Sequence, residues 1–132
     1  MKKDIEDRND IQFLVNSFYD KVKIDCTIGF IFTDIAQMNW EKHLPVMYDF
    51  WENTLFYTGG YRGNPMEKHI RLNQQFPLTT EHFKQWTNLF TSTVDEWFAG
   101  EKAELAKQRA LSISNVMQIK ILYQTGNLNK LI

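Results

Sequence analysis

The chain has 132 residues, of which 43% are hydrophobic and 23% are charged. This balance argues against disorder, and the length is typical of one domain, so we predict a single domain over residues 1–132. The 15 Lys and Arg residues nearly balance the 16 Asp and Glu residues, which leaves a net charge of −1. A charge so close to zero does not favour a nucleic-acid partner or an anionic membrane surface.

No segment of the sequence resembles a membrane anchor or a leader peptide. The longest stretch without a polar side chain, residues 28–32, is far shorter than the ~20 residues that cross a bilayer. The N-terminus lacks the apolar stretch of a signal peptide, and the single Cys26 cannot form an internal disulfide. We therefore expect a soluble, cytoplasmic protein without a nucleic-acid or membrane partner.

The first half of the chain predicts two long helices. Five apolar residues follow the spacing of an amphipathic helix over residues 10–23: Ile11, Leu14, Val15, Phe18 and Val22. Asn9 is the predicted N-cap of this helix, and Tyr19 lies at the edge of its apolar stripe. Residues 27–33 predict one tight helical turn. A second helix is predicted over residues 40–57 with Asn39 as its cap, and Pro45 places His43 near its beginning.

The second half predicts three more helices. Asn64 followed by Pro65 is typical of a helix start, here of a short helix over residues 65–72 that carries His69. Thr79 or Thr80 caps a long helix with Trp86, Trp97 and Phe98 on its apolar side. Gly100 ends that helix, and residues 101–123 form the last one. Because no strand-like alternation occurs, we predict an all-α fold of about five helices.

Aromatic and histidine residues are the features that point to chemistry. Aromatic residues make up 14% of the chain, and they can fill a core or line a pocket for a large flat ligand. His82 is expected on the surface. His43 and His69 are either structural histidines or a pair that faces across an aromatic slot. Such a slot suits haem better than zinc, which prefers more convergent protein ligands. Its predicted lining is Phe18, Phe32, Phe50 and Trp51.

Several segments, in order along the chain, together resemble the group III truncated haemoglobins. They are residues 17–22 (SFYDKV), 29–32 (GFIF), 40–51 (WEKHLPVMYDFW), 61–69 (YRGNPMEKH) and 83–90 (FKQWTNLF). The resemblance implies a shortened globin fold, in which two crossed antiparallel helix pairs surround haem b. It also implies that His69 is the protein ligand of the haem iron. Phe32 then packs on the porphyrin face, and Phe50 and Trp51 line the inner end of the pocket.

The same resemblance gives roles to four residues on the ligand side of the haem. It implies that the Tyr19 hydroxyl and the Trp86 indole N–H donate hydrogen bonds to a ligand of the iron. It places His43 at the distal histidine position and Met47 one turn further on, where it closes the pocket. Without the resemblance, Trp86 and Tyr19 are also explained as packing residues, and His43 either swings out as a gate or stays idle.

Cations near His69 are candidates for binding the haem propionates. Lys68, Arg71 and Arg62 are close enough in sequence, although solvated surface charge explains each of them as well. Three functions follow from the sequence. The first is a haem protein that binds dioxygen or nitric oxide at a five-coordinate iron in a polar pocket. The second is a haem enzyme for nitric oxide dioxygenation or peroxidase-like turnover that uses a separate reductase. The third is a haem-free helical interaction module.

Overall fold

A computed structural model describes residues 1–60 and 65–124, apart from the side chains of residues 65–67, 70 and 124. In these ranges, five α-helices and one π-helical segment follow one another. They are α1 (Arg8–Ile24), the π-helical segment (Ile31–Ile35), α2 (Trp40–Phe56), α3 (Pro65–Gln75), α4 (Thr80–Trp97) and α5 (Glu101–Gln124). The described ranges contain no strand, which confirms the all-α prediction.

The N-cap predicted for α1 is wrong by two residues. The carboxylate of Asp7, rather than the side chain of Asn9, accepts a hydrogen bond from the backbone N–H of Asp10 at 3.1 Å. Both residue types cap helices well, so the choice depends on where the chain before the helix runs. The predicted apolar stripe of α1 is buried in full.

Contacts at both ends of α1 show that α1 and α2 run antiparallel. Arg8, at the beginning of α1, lies 3.0 Å from the carboxylate of Glu52 near the end of α2. Tyr19, in the second half of α1, lies 3.1 Å from His43 in the first turn of α2. The predicted cap of α2 is confirmed, because the side chain of Asn39 accepts from the backbone N–H of Lys42.

α4 and α5 form the second antiparallel pair. Lys107, early in α5, lies 2.7 Å from Asp95 near the end of α4. Phe83, at the beginning of α4, packs in one buried cluster with Met117 in the second half of α5. α1 also packs on α4, so the two pairs share one core. Its centre holds Phe90, which stacks on Trp51 of α2 with ring centroids 4.6 Å apart.

The segment between α1 and α2 is longer and wider than the single turn that the sequence predicts. The backbone N–H of Ala36 donates to the carbonyl of Ile31 at 2.8 Å, five residues back, which is the π-helical spacing. Gly29 permits a close approach to the end of α1, since a Cβ there would lie 2.8 Å from the carbonyl oxygen of Val22. The π-helical segment carries Phe32 toward the space between the two helix pairs.

The N-terminal segment packs against the beginning of α5. The carboxylate of Asp4 accepts backbone N–H groups of Lys102 and Ala103 at 2.9 and 2.8 Å, and so caps α5. The prediction that Gly100 ends α4 is wrong. Gly100 lies directly before α5, with a φ of +142°. α4 ends at Trp97, which is 44% exposed instead of buried on the apolar side.

Two further details complete the fold. α3 continues to Gln75, beyond the predicted end near residue 72, while Asn64, its predicted cap, lies outside the described residues. Within the described ranges, every helix is too short or too polar to cross a bilayer.

Candidate functional site

A cavity of about 290 Å³ lies between the two helix pairs. Side chains from all five α-helices and from the π-helical segment line it, and most of them are apolar. Among them are the predicted site residues Tyr19, Phe32, His43, Met47, Phe50, Trp51, Lys68, His69 and Trp86. The structure therefore brings residues that are distant in sequence to one enclosed, largely apolar space, which is the usual form of a small-molecule site.

Tyr19 supplies a hydroxyl to this cavity from α1. Its side chain is only 5% exposed, and its hydroxyl lies 3.1 Å from Nε2 of His43. Burial raises the pKa of the phenol above its ordinary value, so the hydroxyl keeps its proton at neutral pH. A buried tyrosine normally finds a hydrogen-bond partner, and here the first turn of α2 provides it.

His43 is a neutral imidazole at physiological pH. Burial, together with the nearby charges of Lys68 and His69, lowers its pKa from 6.5 to about 4. A neutral imidazole has one N–H and one lone pair, so Nε2 either accepts from the Tyr19 hydroxyl or donates to its oxygen. In the second arrangement the tyrosine proton is available to another acceptor.

The inner wall of the cavity is aromatic and tightly packed. The ring of Trp86 stacks 6.0 Å from Phe90 and meets Phe18 edge to face at 5.8 Å. Phe18 lies behind this wall, so it does not line the cavity, contrary to the prediction. Phe50 meets Trp51 edge to face at 5.2 Å. Trp86 lines the cavity, and its indole carries one N–H donor.

α3 brings Lys68 and His69 to the cavity wall. His69 is half-buried in the wall, and Lys68 lines the cavity while remaining largely exposed. Arg71 is exposed and does not belong to the described wall. Arg62 lies outside the described residues.

His82 lines the cavity, although the sequence suggested a surface position. Its Nδ1 accepts the backbone N–H of Thr79 at 3.0 Å, while the Thr79 hydroxyl accepts the backbone N–H of His82. This is a reciprocal capping box, in which His82 takes the place of the usual glutamate or glutamine. Because the sequence motif requires one of those residues, it did not reveal the role of His82. Ser114 and Met117 of α5 also line the cavity, and only the tertiary packing of α5 places them there.

The fold and the cavity together define an all-α globin. No protein-family model matches the chain. A curated relative, the group 3 truncated hemoglobin ctb of Campylobacter jejuni, is 30% identical over 129 residues, which cover 96% of this chain and 98% of the relative. The crystal structure of a group III truncated hemoglobin from Campylobacter jejuni superimposes with a TM-score of 0.79 and 29% identity, and covers 92% of this chain and 95% of that chain. The chain belongs to the group III truncated haemoglobins.

Proposed function

We propose that the cavity holds haem b with His69 as the protein ligand of the iron, and that the protein binds dioxygen and nitric oxide there. The observation that carries this proposal is the meeting of a histidine of α3 and two hydrogen-bond donors in one apolar cavity. The proposal agrees with membership of the haemoglobin family.

The residues present fit a large flat iron porphyrin. Aromatic side chains of the π-helical segment and α2 offer flat apolar contact, and we assign Phe32, Phe50 and Trp51 to the porphyrin. His69 offers the imidazole nitrogen that haem iron takes from globins. We assign Lys68 to a propionate because it lines the cavity, and Arg71 as the further cation on α3.

Haem iron, when bound, supplies a reversible binding site for diatomic gases. The protein then controls how long the ligand stays. Tyr19 and Trp86 offer an O–H and an N–H inside the cavity, and His43 holds the tyrosine hydroxyl in place. Met47, one turn beyond His43, limits the space, and the apolar walls exclude water. In such surroundings fixed donors stabilise partial negative charge on a ligand more strongly than water does.

The strength of these donors favours retention of a ligand over rapid exchange. A hydrogen bond to a charged acceptor contributes roughly 1.5–3 kcal/mol. Because about 1.4 kcal/mol corresponds to a factor of ten, each donor slows release by about tenfold to a hundredfold. Slow release suits chemistry on the bound gas, and turnover as a nitric oxide dioxygenase or peroxidase would need electrons from a separate reductase.

Titration with haemin tests the proposal directly. The parent protein is expected to give a sharp Soret band at one haemin per chain. His69→Ala is expected to lose or strongly shift that band. His82→Ala is the matched control, since it removes another histidine of the same cavity and is expected to keep the band. A parent without a Soret band would contradict the proposal and favour the haem-free interaction module.

A second measurement separates binding from turnover. The oxygenated protein is mixed with nitric oxide in the presence of an artificial electron donor. One equivalent consumed per haem supports ligand binding as the function. Repeated consumption would assign nitric oxide dioxygenation to the same site.

A further inference from the structure

Trp40 lies just outside the described cavity wall and packs against the residues that form its polar side. Its ring centroid is 5.3 Å from that of Tyr19, 5.9 Å from His43 and 6.2 Å from Phe32. The ammonium of Lys23 lies 4.6 Å from the centre of the same ring. Among the described residues, Trp40 thus contacts both rings of the Tyr19–His43 pair and also a cation.

We propose that Trp40 is a positioning residue that aims the Tyr19 hydroxyl at the bound ligand by holding the rings of Tyr19 and His43 together. This inference rests on the proposed function, because the ligand it concerns is one bound at the haem. It goes beyond that function by giving Trp40 an effect on ligand retention without any contact with the ligand.

The spacing of the four residues explains how the rings are held. Trp40 and His43 are three residues apart on α2, so their side chains lie on one face of the helix. Tyr19 and Lys23 are four residues apart on α1 and also share a face. The two faces meet, and Trp40 lies between Tyr19 and Lys23.

His43 needs such support because of its place in the helix. It stands in the first turn of α2, and its backbone N–H donates to the carbonyl of Asn39 at 2.9 Å, close to the end where helices fray. Pro45, two residues later, removes one helical hydrogen bond. The backbone of this turn does not fix the imidazole itself, so the ring contacts with Trp40 and Tyr19 restrict its orientation.

Lys23 contributes less than Trp40 to the orientation of the Tyr19 hydroxyl. Its side chain is exposed, and a cation over an aromatic face contributes little where water competes for the charge. Lys23 keeps the Trp40 ring in place from the solvent side, so its loss is expected to weaken the effect of Trp40 without abolishing it.

The test uses carbon monoxide bound to the reduced haem protein, with the C–O stretching frequency as the readout. A hydrogen-bond donor near the carbon monoxide oxygen lowers this frequency. The frequency should therefore rise when the Tyr19 hydroxyl no longer points at the ligand. Trp40→Leu is expected to raise the frequency toward that of Tyr19→Phe and to speed dioxygen release about threefold to tenfold. Trp40→Phe, which keeps a flat ring, is expected to restore most of the parent signal. Lys23→Met is expected to cause a smaller change in the same direction.

Two controls make the result specific. Trp97→Leu removes a tryptophan that packs on Phe13 away from the cavity, and it is expected to leave the frequency unchanged. Trp40→Leu combined with Tyr19→Phe is expected to match Tyr19→Phe alone, because Trp40 acts through Tyr19. If Trp40→Leu does not fold, Trp40→Met replaces it as the variant without a flat ring.

The outcomes separate this inference from the function beneath it. A parent-like frequency in Trp40→Leu or Trp40→Met, or additive shifts in the double variant, would overturn the role of Trp40. A parent that binds neither haem nor carbon monoxide would instead contradict the proposed function.

Discussion

At its N-terminal end α1 is tied to its neighbours by charged groups, whereas near its C-terminal end the buried ring of Tyr19 meets half-buried rings of α2. Arg8 lies 2.9 Å from Asp49 and 3.0 Å from Glu52, all at least partly exposed. At the other end, the Tyr19 hydroxyl and the His43 imidazole lie 3.1 Å apart beside the cavity. One helix pair thus has an end joined by exposed ion pairs and an end that borders the cavity.

Together with the proposed function, the comparison predicts that stability and ligand binding depend on different ends of this helix pair. Partly exposed ions keep much of their hydration, so the ion pairs of Arg8 carry only a small desolvation cost. A neutral pair such as Tyr19 and His43 loses little solvation free energy on burial. A charged pair beside an apolar cavity would lose more. Changes at the first end should therefore alter stability, and changes at the second should alter ligand retention.

Among the substitutions near the N-terminal end of α1, Asp4→Ala is expected to change stability most. This substitution removes the carboxylate that caps α5 and is expected to lower the free energy of unfolding by about 1–2 kcal/mol. Chemical denaturation measures the loss, and the haem spectrum should stay the same. Asp4→Asn, which keeps a capping oxygen, is the matched control. An altered Soret band in Asp4→Ala would break the separation between the two ends.

The stabilising effect of Asp4 should also depend on pH. Burial works to raise the pKa of Asp4, but backbone N–H donors including Lys102 and Ala103 hold it below its ordinary value of 3.8. A carboxylate with a lowered folded-state pKa stabilises the protein above its unfolded-state pKa and loses that effect as the pH falls through the folded-state value. The difference between the parent and Asp4→Ala should therefore shrink in strong acid.

An intermediate effect is expected from the pH response of His43. Burial, Lys68 and His69 lower its folded-state pKa from 6.5 to about 4, so the unfolded chain binds more protons between these values. Stability should therefore fall as the pH drops from 6.5 toward 4. Denaturation of the haem-free protein at several pH values, with His43→Gln as control, measures this. A parent curve parallel to that of His43→Gln would contradict the assignment of a buried, neutral His43.

The smallest effect is expected from Arg8→Met. The ion pairs of Arg8 with Asp49 and Glu52 are partly exposed, so their loss should lower the free energy of unfolding by less than about 1 kcal/mol. The loss should shrink further in high salt, which screens exposed charges. Unfolding at two salt concentrations tests both statements. A large, salt-independent loss would show that this end depends on packing instead of charge.

The sequence predicts the site well wherever helical spacing or a motif places a residue. The stripe on α1 fixes the direction of Tyr19, and the Asn39 cap places His43 in the first turn of α2. Residues whose position depends on distant packing escape such reasoning. Asp4 caps a helix 98 and 99 residues further along the chain, and no local pattern reveals this.

Two other misses have different physical causes. His82 was hidden because its capping role uses a residue type that is unusual at that position. Trp40 reads as one member of an apolar stripe, and only the approach of α1 shows that it contacts Tyr19 and Lys23. Local rules describe a residue's own helix, whereas a site forms where helices meet.

Tyr19→Phe gives the most direct test of the account. Dioxygen release and the free energy of unfolding are measured on the same preparations of the haem-bound parent and variant. We predict that release becomes about tenfold to a hundredfold faster, while the free energy of unfolding changes by less than about 1 kcal/mol. Unchanged release with a clear loss of stability would contradict the account, because Tyr19 would then serve the fold and not the ligand.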